Sequence, residues 1–172
     1  MNAFWIFLLF VILQRIVELA IAKRNERIVR AKGAIEFDKK GYKVIVAMHV
    51  AFFISLILEK VFLERGLNSL WIFFVTLFVL AQFLRYWAIS SLGAYWNTRV
   101  LVVPNSKLVT SGPYEYLRHP NYIAVITEIA VIPLIFSCYI TAVVFTFLNL
   151  ILLRRRIKIE EEALQRASTG LL

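Results

Sequence analysis

The sequence predicts an all-α, polytopic membrane protein with about five transmembrane helices, the last two forming a hairpin, and a cytosolic pocket. The first observation is composition: of 172 residues 60% are hydrophobic, and the mean hydropathy is +0.74. Soluble domains are about 45–50% apolar, and a soluble fold of this length leaves too much surface exposed to hide such an excess. The length predicts a single domain over residues 1–172.

The second observation is the distribution of apolar blocks along the chain. A helix needs about 20 mostly apolar residues to cross the hydrocarbon core. The first such block could instead be a cleaved signal peptide, because Ala20-Ile21-Ala22 has the small-x-small form. No basic residue precedes it, however, and Arg15 and Glu18 interrupt it, which favours a retained span. The predicted spans are 3–22, 44–63 and 69–90.

A longer apolar block, from Tyr122 to Leu153, is too long for one ordinary span. Pro133 lies near its middle, and a proline there removes a helix hydrogen bond. We therefore predict two shorter helices, roughly 121–136 and 138–153, folded as a hairpin.

The third observation is where the positive charge lies. The formal net charge is +9, and sixteen of the twenty Lys and Arg residues lie in 23–43, in 91–121 and after Leu153. The opposite side of the predicted topology has only Lys60 and Arg65. The positive-inside rule then predicts an N-terminus outside and a cytoplasmic tail. Basic residues placed between apolar blocks also argue against a nucleic-acid partner.

Several polar side chains lie inside the predicted spans, where burial in lipid is costly. Arg15 and Glu18 are three residues apart and can pair on one helix face. His49, Arg85 and Glu128 have no local partner in the sequence. Contacts between helices or snorkelling explain them without a function, and of these residues Glu128 is the strongest functional candidate.

The segment from Lys107 to Tyr122 combines a turn with a helix start. Ser111-Gly112-Pro113 is a turn signal, and Pro120 suits the first turn of the helix that follows. His119 is thereby presented at a helix N-terminus, where an anionic or planar ligand can bind. An interfacial anchor built from tyrosine and arginine is the alternative.

The segment after Leu153 places Arg156 and Glu160 on one helix face. Such a sequence is typical of a solvated helix end. The predicted topology, however, brings it to the same side as the His119 segment, so that basic and acidic groups can converge in one cytosolic pocket.

These two segments resemble the isoprenylcysteine carboxyl methyltransferase family over roughly residues 80–165. The resemblance rests on the runs 108–114 (Leu-Val-Thr-Ser-Gly-Pro-Tyr), 118–122 (Arg-His-Pro-Asn-Tyr), 156–164 and 92–96. Arg-His-Pro-x-Tyr before a membrane helix also occurs in phospholipid methyltransferases and membrane sterol reductases. The Thr-Ser-Gly-Pro-Tyr lead-in combined with Arg-x-x-x-Glu-Glu is much narrower.

The resemblance implies that the pocket is a cytosolic cofactor pocket for S-adenosylmethionine, with no metal, and that an amphiphilic, lipid-bearing acceptor enters from the bilayer. It implies methyl transfer onto a carboxylate or acidic hydroxyl, an in-line displacement in which opposite charges cancel. Arg156 would be the catalytic residue that faces the acceptor. The cofactor would be contacted by Lys107, Leu108, Val109, Tyr114, His119, Pro120, Asn121, Tyr122 and Glu160.

Two other functions stay open at this point. Arg-His-Pro-Asn-Tyr alone would also suit an NADPH-dependent membrane reductase of the sterol type. The Glu160-Glu161 pair argues for the methyltransferase, because a carboxylate suits a cationic cofactor better than a phosphorylated one. The third possibility is a non-enzymatic adaptor whose basic loops bind anionic lipid head groups.

Overall fold

The computed structural model describes residues 2–104, 106 and 108–168. The described chain is mostly helical, with a small antiparallel sheet in which β1 (Ile35–Phe37) pairs with β2 (Val100–Val102). Two short 3-10 helices, Gly93–Tyr95 and Gly112–Glu115, precede and follow β2 along the chain. The long helices are α1 (Asn2–Ala31), α2 (Lys39–Phe62), α3 (Trp71–Leu92), α4 (Pro120–Ile135) and α5 (Tyr139–Ser168).

Three helical segments in the described chain are long and apolar enough to cross a membrane: Ala3–Ala31, Lys39–Phe62 and Trp71–Tyr95. Large apolar side chains such as Ile6 and Phe83 are exposed on these helices, as expected for surfaces solvated by lipid. The protein is therefore an integral membrane protein. The three long predicted spans are confirmed as apolar helices, whereas five crossings stay a prediction, because α4 is a shorter apolar helix of 16 residues.

The polar sequence between the first two spans is largely helical. α1 continues past the predicted end at residue 22 to Ala31, and α2 begins at Lys39, before the predicted residue 44. Asp38 caps α2 by accepting a hydrogen bond from the Gly41 amide at 3.1 Å. Only residues 32–38 connect the two helices.

The helix of the predicted fifth span does not end near residue 153, since α5 runs on to Ser168, and the segment with Arg156 and Glu160 is helical, as predicted. The residues after Leu153 are mainly strong helix formers, with basic residues three to four positions before acidic ones, so that no helix-stopping signal interrupts the chain there. Residues 136–138, just after Pro133, form a turn that separates α4 from α5, and Ser137 adopts a positive φ of 57° there. α4 and α5 pack against each other on either side of this turn.

The apolar core lies where α1 begins and where α4 meets α5. The Phe4 and Phe136 rings meet edge-to-face with centroids 5.0 Å apart, which joins the start of α1 to the 136–138 turn. Further buried side chains of this core are Leu8, Val11, Met48, Phe52, Leu56, Phe78, Ile129, Ile132, Ile135 and Phe145.

A buried polar cluster at mid-depth ties α1, α3 and α4 together. Glu128 has no exposed surface, and it accepts hydrogen bonds from Arg85 Nε at 2.8 Å and Gln82 Nε2 at 2.6 Å. Arg15 also donates to Glu128. Glu18 completes the cluster, 2.6 Å from Arg15 Nη1 and 3.3 Å from Arg85 Nη1. Two cations thus meet two carboxylates, so these residues form contacts between helices. Arg85 and Glu128, which have no local partner in the sequence, pair with each other.

Replacing Glu128 by alanine is expected to destabilise the protein strongly, because Arg85 and Arg15 would lose a shared carboxylate in a buried setting. Breaking a buried ion pair on one side costs about 3–5 kcal/mol. Thermal unfolding in detergent micelles should show a clearly lower midpoint. The matched control is Glu115→Ala, which removes an exposed carboxylate and should leave the midpoint unchanged; equal midpoints for the two variants would contradict this role.

Candidate active site

A cavity of about 960 Å³ lies at the polar end of the bundle, and all five helices contribute to its lining. Its volume is near the upper end of the roughly 300–1,000 Å³ typical of small-molecule sites. The cavity extends from the loop segments around β2 down to the polar cluster, where Arg15, Glu18 and Arg85 form part of its wall. It is therefore large enough for more than one small ligand.

One wall of the cavity is the segment that follows α3, and α1 holds this segment in place. Asn25 Nδ2 donates to the carbonyl oxygens of Gly93 and Trp96, at 3.0 and 2.8 Å. Asn97 Nδ2 in turn donates to the Ala22 carbonyl at 3.1 Å. The polar extension of α1 therefore holds this wall of the cavity in place.

The β1–β2 sheet strengthens the same wall. Arg99 Nη1 lies 2.5 Å from Glu36 Oε1, and its guanidinium stacks over the Tyr42 ring at 4.3 Å from the centroid. Burial raises the pKa of the Glu36 carboxyl, but hydrogen bonds from Arg30 and Arg99 outweigh burial and lower that pKa overall. Glu36 therefore stays charged and keeps both arginines paired.

A second wall of the cavity is the segment from residue 108 to the start of α4, which we call the motif segment. Gly112 adopts a positive φ of 64°, and a Cβ placed there would lie 2.1 Å from Ser91 Oγ. Only glycine allows this turn to approach α3 so closely. Pro120 then begins α4, with His119 directly before it.

Tyr122, which lines the cavity, links the start of α4 to α5. Its hydroxyl donates to the Glu160 carboxylate and accepts a hydrogen bond from Arg156 Nε at 2.9 Å. Arg156 Nη2 also donates to the Thr98 carbonyl, at 2.7 Å, which fastens α5 to the wall described above. Arg156 and Glu160 therefore lie on one face of α5, as predicted, and the tyrosine hydroxyl lies between them.

His119 and Tyr114 extend this arrangement. The His119 ring stacks on Tyr122 with centroids 5.4 Å apart, and its Nε2 lies 3.2 Å from Glu161 Oε1. Burial, and then the negative charge of Glu160, raise the pKa of the Tyr114 phenol. Tyr114 therefore remains protonated at neutral pH and can donate a hydrogen bond into the cavity.

Most of the residues predicted for the site line this one cavity. Pro120 differs: it is buried as the first residue of α4 and is not part of the lining. Lys107 lies outside the described residues. The predicted residues that do line the cavity are Leu108, Val109, Tyr114, His119, Asn121, Tyr122, Arg156 and Glu160.

The sequence reasoning missed the wall formed by residues 95–103 and the contribution of α2. His49 lines the cavity, and its Nδ1 lies 2.8 Å from the Ile45 carbonyl oxygen, the geometry of a ring N–H donating within its own helix. The run from Leu92 to Trp96 resembles the family and so pointed to Trp96, and His49 stands out in the sequence as a polar residue inside a predicted span, but neither pattern placed these residues at one cavity. No cluster of three or more possible metal ligands occurs in the described part of the chain.

The fold and the cavity together define a helical membrane protein with a ligand-sized site at one end of its bundle. Residues 73–166 match the isoprenylcysteine carboxyl methyltransferase (ICMT) family. The chain belongs to this family of membrane methyltransferases, which confirms the resemblance seen in the sequence.

Similarity to individual proteins extends over nearly the whole chain. The "Uncharacterized protein YpbQ" of Bacillus subtilis (strain 168) is 45% identical over 165 residues, which cover 96% of this chain and 98% of that protein. An "Uncharacterized protein" of Haemophilus influenzae is 30% identical over 87% of this chain and 88% of its own length. No solved structure matches the chain.

Replacing Asn25 by alanine is expected to loosen the wall that it holds. The variant loses two hydrogen bonds, each worth roughly 0.5–1.5 kcal/mol, so amide hydrogen exchange over residues 93–99 should speed up by about tenfold. Ser90→Ala, which removes an exposed hydroxyl bonded within α3, serves as the control. Unchanged exchange in the Asn25 variant would show that other contacts hold the wall.

Proposed function

We propose that the protein is a single-domain, S-adenosylmethionine-dependent O-methyltransferase. It transfers the methyl group to a carboxylate or acidic hydroxyl of an amphiphilic, lipid-bearing acceptor. The observation that carries this proposal is the convergence of Arg156, Glu160 and the motif residues on one cavity that also reaches the apolar part of the bundle. Membership of a methyltransferase family supports the reaction class.

The residues around Tyr122 fit the proposed cofactor. Glu160 and Glu161 supply negative charge in the lining, which suits a ligand carrying positive charge. The Oδ1 atom of Asn121 is buried and has no hydrogen-bond partner among the described residues, so a ligand donor can satisfy it. When bound, S-adenosylmethionine supplies an electrophilic methyl group on a positively charged sulfur.

The chain's own residues would bind and orient this cofactor. Glu160, held by the Tyr122 hydroxyl, would accept from a ribose hydroxyl or the ammonium group. His119 and the N-terminus of α4 would hold the carboxylate. The remaining proposed contacts are made by Lys107, Leu108, Val109, Tyr114, Pro120, Asn121 and Tyr122.

Arg156 would hold the acceptor anion. Its side chain is 7% exposed, and its contacts with Tyr122 and Thr98 fix the guanidinium before any ligand arrives. A fixed cation in a water-poor cavity holds an anion in one orientation, and well-oriented reactants can gain about 7–11 kcal/mol from alignment. The deprotonated acceptor needs no strong general base.

The acceptor tail would lie between α1 and α2. Leu19 of α1 and Val46 and Val50 of α2 line the cavity and are exposed. An opening between these helices at membrane depth would let the apolar tail stay in contact with lipid. A lipid-bearing acceptor can therefore reach Arg156 without leaving the apolar phase.

Binding of the cofactor is the direct test. Calorimetry on detergent-purified protein should show saturable binding of S-adenosylmethionine and none of NADPH. Glu160→Gln is expected to weaken binding by at least about tenfold, because hydrogen bonds to a charged group contribute about 1.5–3 kcal/mol. Glu162→Gln, an exposed neighbour outside the cavity lining, is the matched control and should bind normally.

The role of Arg156 is tested by separating binding from transfer. Arg156→Ala should abolish transfer of labelled methyl groups to an acidic amphiphile such as an S-prenylated cysteine, while leaving cofactor affinity within about threefold. Arg154→Ala, the exposed residue two positions earlier, should behave as wild type. Normal methylation by the Arg156 variant would refute its assignment, and binding of NADPH alone would favour the reductase.

We also propose that the chain crosses the membrane five times, with its N-terminus outside and the cavity's polar end in the cytoplasm. The basic residues around this end support that orientation. Green fluorescent protein fused after residue 172 should fluoresce, whereas alkaline phosphatase should be active when fused near residue 66, between α2 and α3, or near residue 137, between α4 and α5. The reverse pattern would place the site on the outer face.

A further inference from the structure

Trp96 carries a buried hydrogen-bond donor that the contacts described above leave unused. The residue is 3% exposed, and its indole Nε1 has no hydrogen-bond partner among the described residues. Trp96 also lines the cavity. Buried N–H groups are almost always paired, with protein, water or ligand, so this donor calls for a partner that the described residues do not supply.

The backbone that carries this indole is held on two sides. The Trp96 amide donates to the Gly93 carbonyl at 3.2 Å, and the Trp96 carbonyl accepts from Asn25 at 2.8 Å. Asn25 is itself buried. A side chain on so fixed a backbone is suited to present its N–H in one direction, as a binding group requires.

The surroundings indicate the charge of the group that Trp96 would meet. Arg156 Nη2 donates to the carbonyl of Thr98, two residues further on, so the guanidinium adjoins the wall that carries the indole. The carboxylates of Glu160 and Glu161 belong to α5, where they contact Tyr122 and His119 of the motif segment. Residues 95–103 contain no carboxylate of their own, and the Arg156 guanidinium adjoins them, which favours an anion beside Trp96.

We propose that Trp96 Nε1 and the Arg156 guanidinium together bind the anionic head group of the methyl acceptor, a carboxylate or an enolate of similar shape. This inference rests on the proposed function and assigns to Trp96 a role in acceptor specificity. Two oxygens sharing one negative charge can each accept from one donor, which orients the head group. A neutral amphiphile that cannot satisfy the two donors is disfavoured, because buried donors without partners are costly.

The indole signal of Trp96 provides a test that does not depend on turnover. The chain has four tryptophans, so ¹⁵N-tryptophan labelling gives four indole signals, and Trp96→Phe assigns the one that matters. Wild-type protein in dodecyl maltoside, saturated with S-adenosylhomocysteine, is titrated with sodium dodecanoate and, separately, with dodecanol. The Trp96 signal should shift downfield saturably with dodecanoate and stay in place with dodecanol.

Two variants sharpen the result. Arg156→Ala should raise the dodecanoate concentration needed for half of the shift by at least tenfold. Trp96→Phe should weaken dodecanoate binding in calorimetry by about five- to tenfold and leave S-adenosylhomocysteine affinity unchanged. Trp87→Phe, which changes a tryptophan outside the cavity lining, should bind both ligands as wild type does.

Each other result overturns the inference. A Trp96 signal that dodecanoate does not move, or that dodecanol moves equally, removes the indole from an anion site. A signal that S-adenosylhomocysteine alone moves, with no further effect of dodecanoate, makes Trp96 a cofactor ligand instead. Failure of wild-type protein to bind S-adenosylmethionine would reject the proposed function itself, and that measurement is separate from the indole titration.

Discussion

The buried carboxylate of Glu128 is the contact on which the arrangement of the bundle depends. In lipid an unpaired charge is expensive, so Glu128 brings Arg85 of α3 and Arg15 of α1 to the same point of α4. Tyr122 lies six residues earlier on α4, about 9 Å along a helix. The cluster therefore forms the inner end of the cavity. The helix spacing sets the distance from this cluster to the Tyr122 hydroxyl, which contacts Arg156 and Glu160.

Tyr122 joins helices by hydrogen bonds at the polar end of the bundle, as Glu128 does deeper in it. One hydroxyl contacts a cation and a carboxylate that are four residues apart on α5, and the cation reaches on to the Thr98 carbonyl. α4, α5 and the segment after α3 are thus held by one chain of hydrogen bonds. A site whose side chains are fixed before a ligand arrives loses less entropy on binding, which is the property that alignment of two reactants requires.

The cavity has a polar part and an apolar part. Its polar part is bounded by the 95–103 wall, the motif segment and the polar half of α5, whereas its apolar part is lined by residues such as Leu19 of α1 and Val46 and Val50 of α2. The extended α1 and α5 make this possible, because both continue past their apolar halves and carry the residues that hold the loop segments. The helical extensions are therefore part of the site as well as of the fold.

The sequence alone determined the membrane class, the three long apolar helices, the family and nearly all of the cavity-lining motif residues, because hydropathy, periodicity and local motifs are properties of neighbouring residues. It did not determine that α1 continues to Ala31, or that Glu128 pairs with residues 43 and 113 positions away. It also did not place Trp96 and His49 in the lining of one cavity, or Asn25 against the backbone of its wall. Those outcomes depend on which helix faces meet, and burial and unsatisfied donors arise only from that packing.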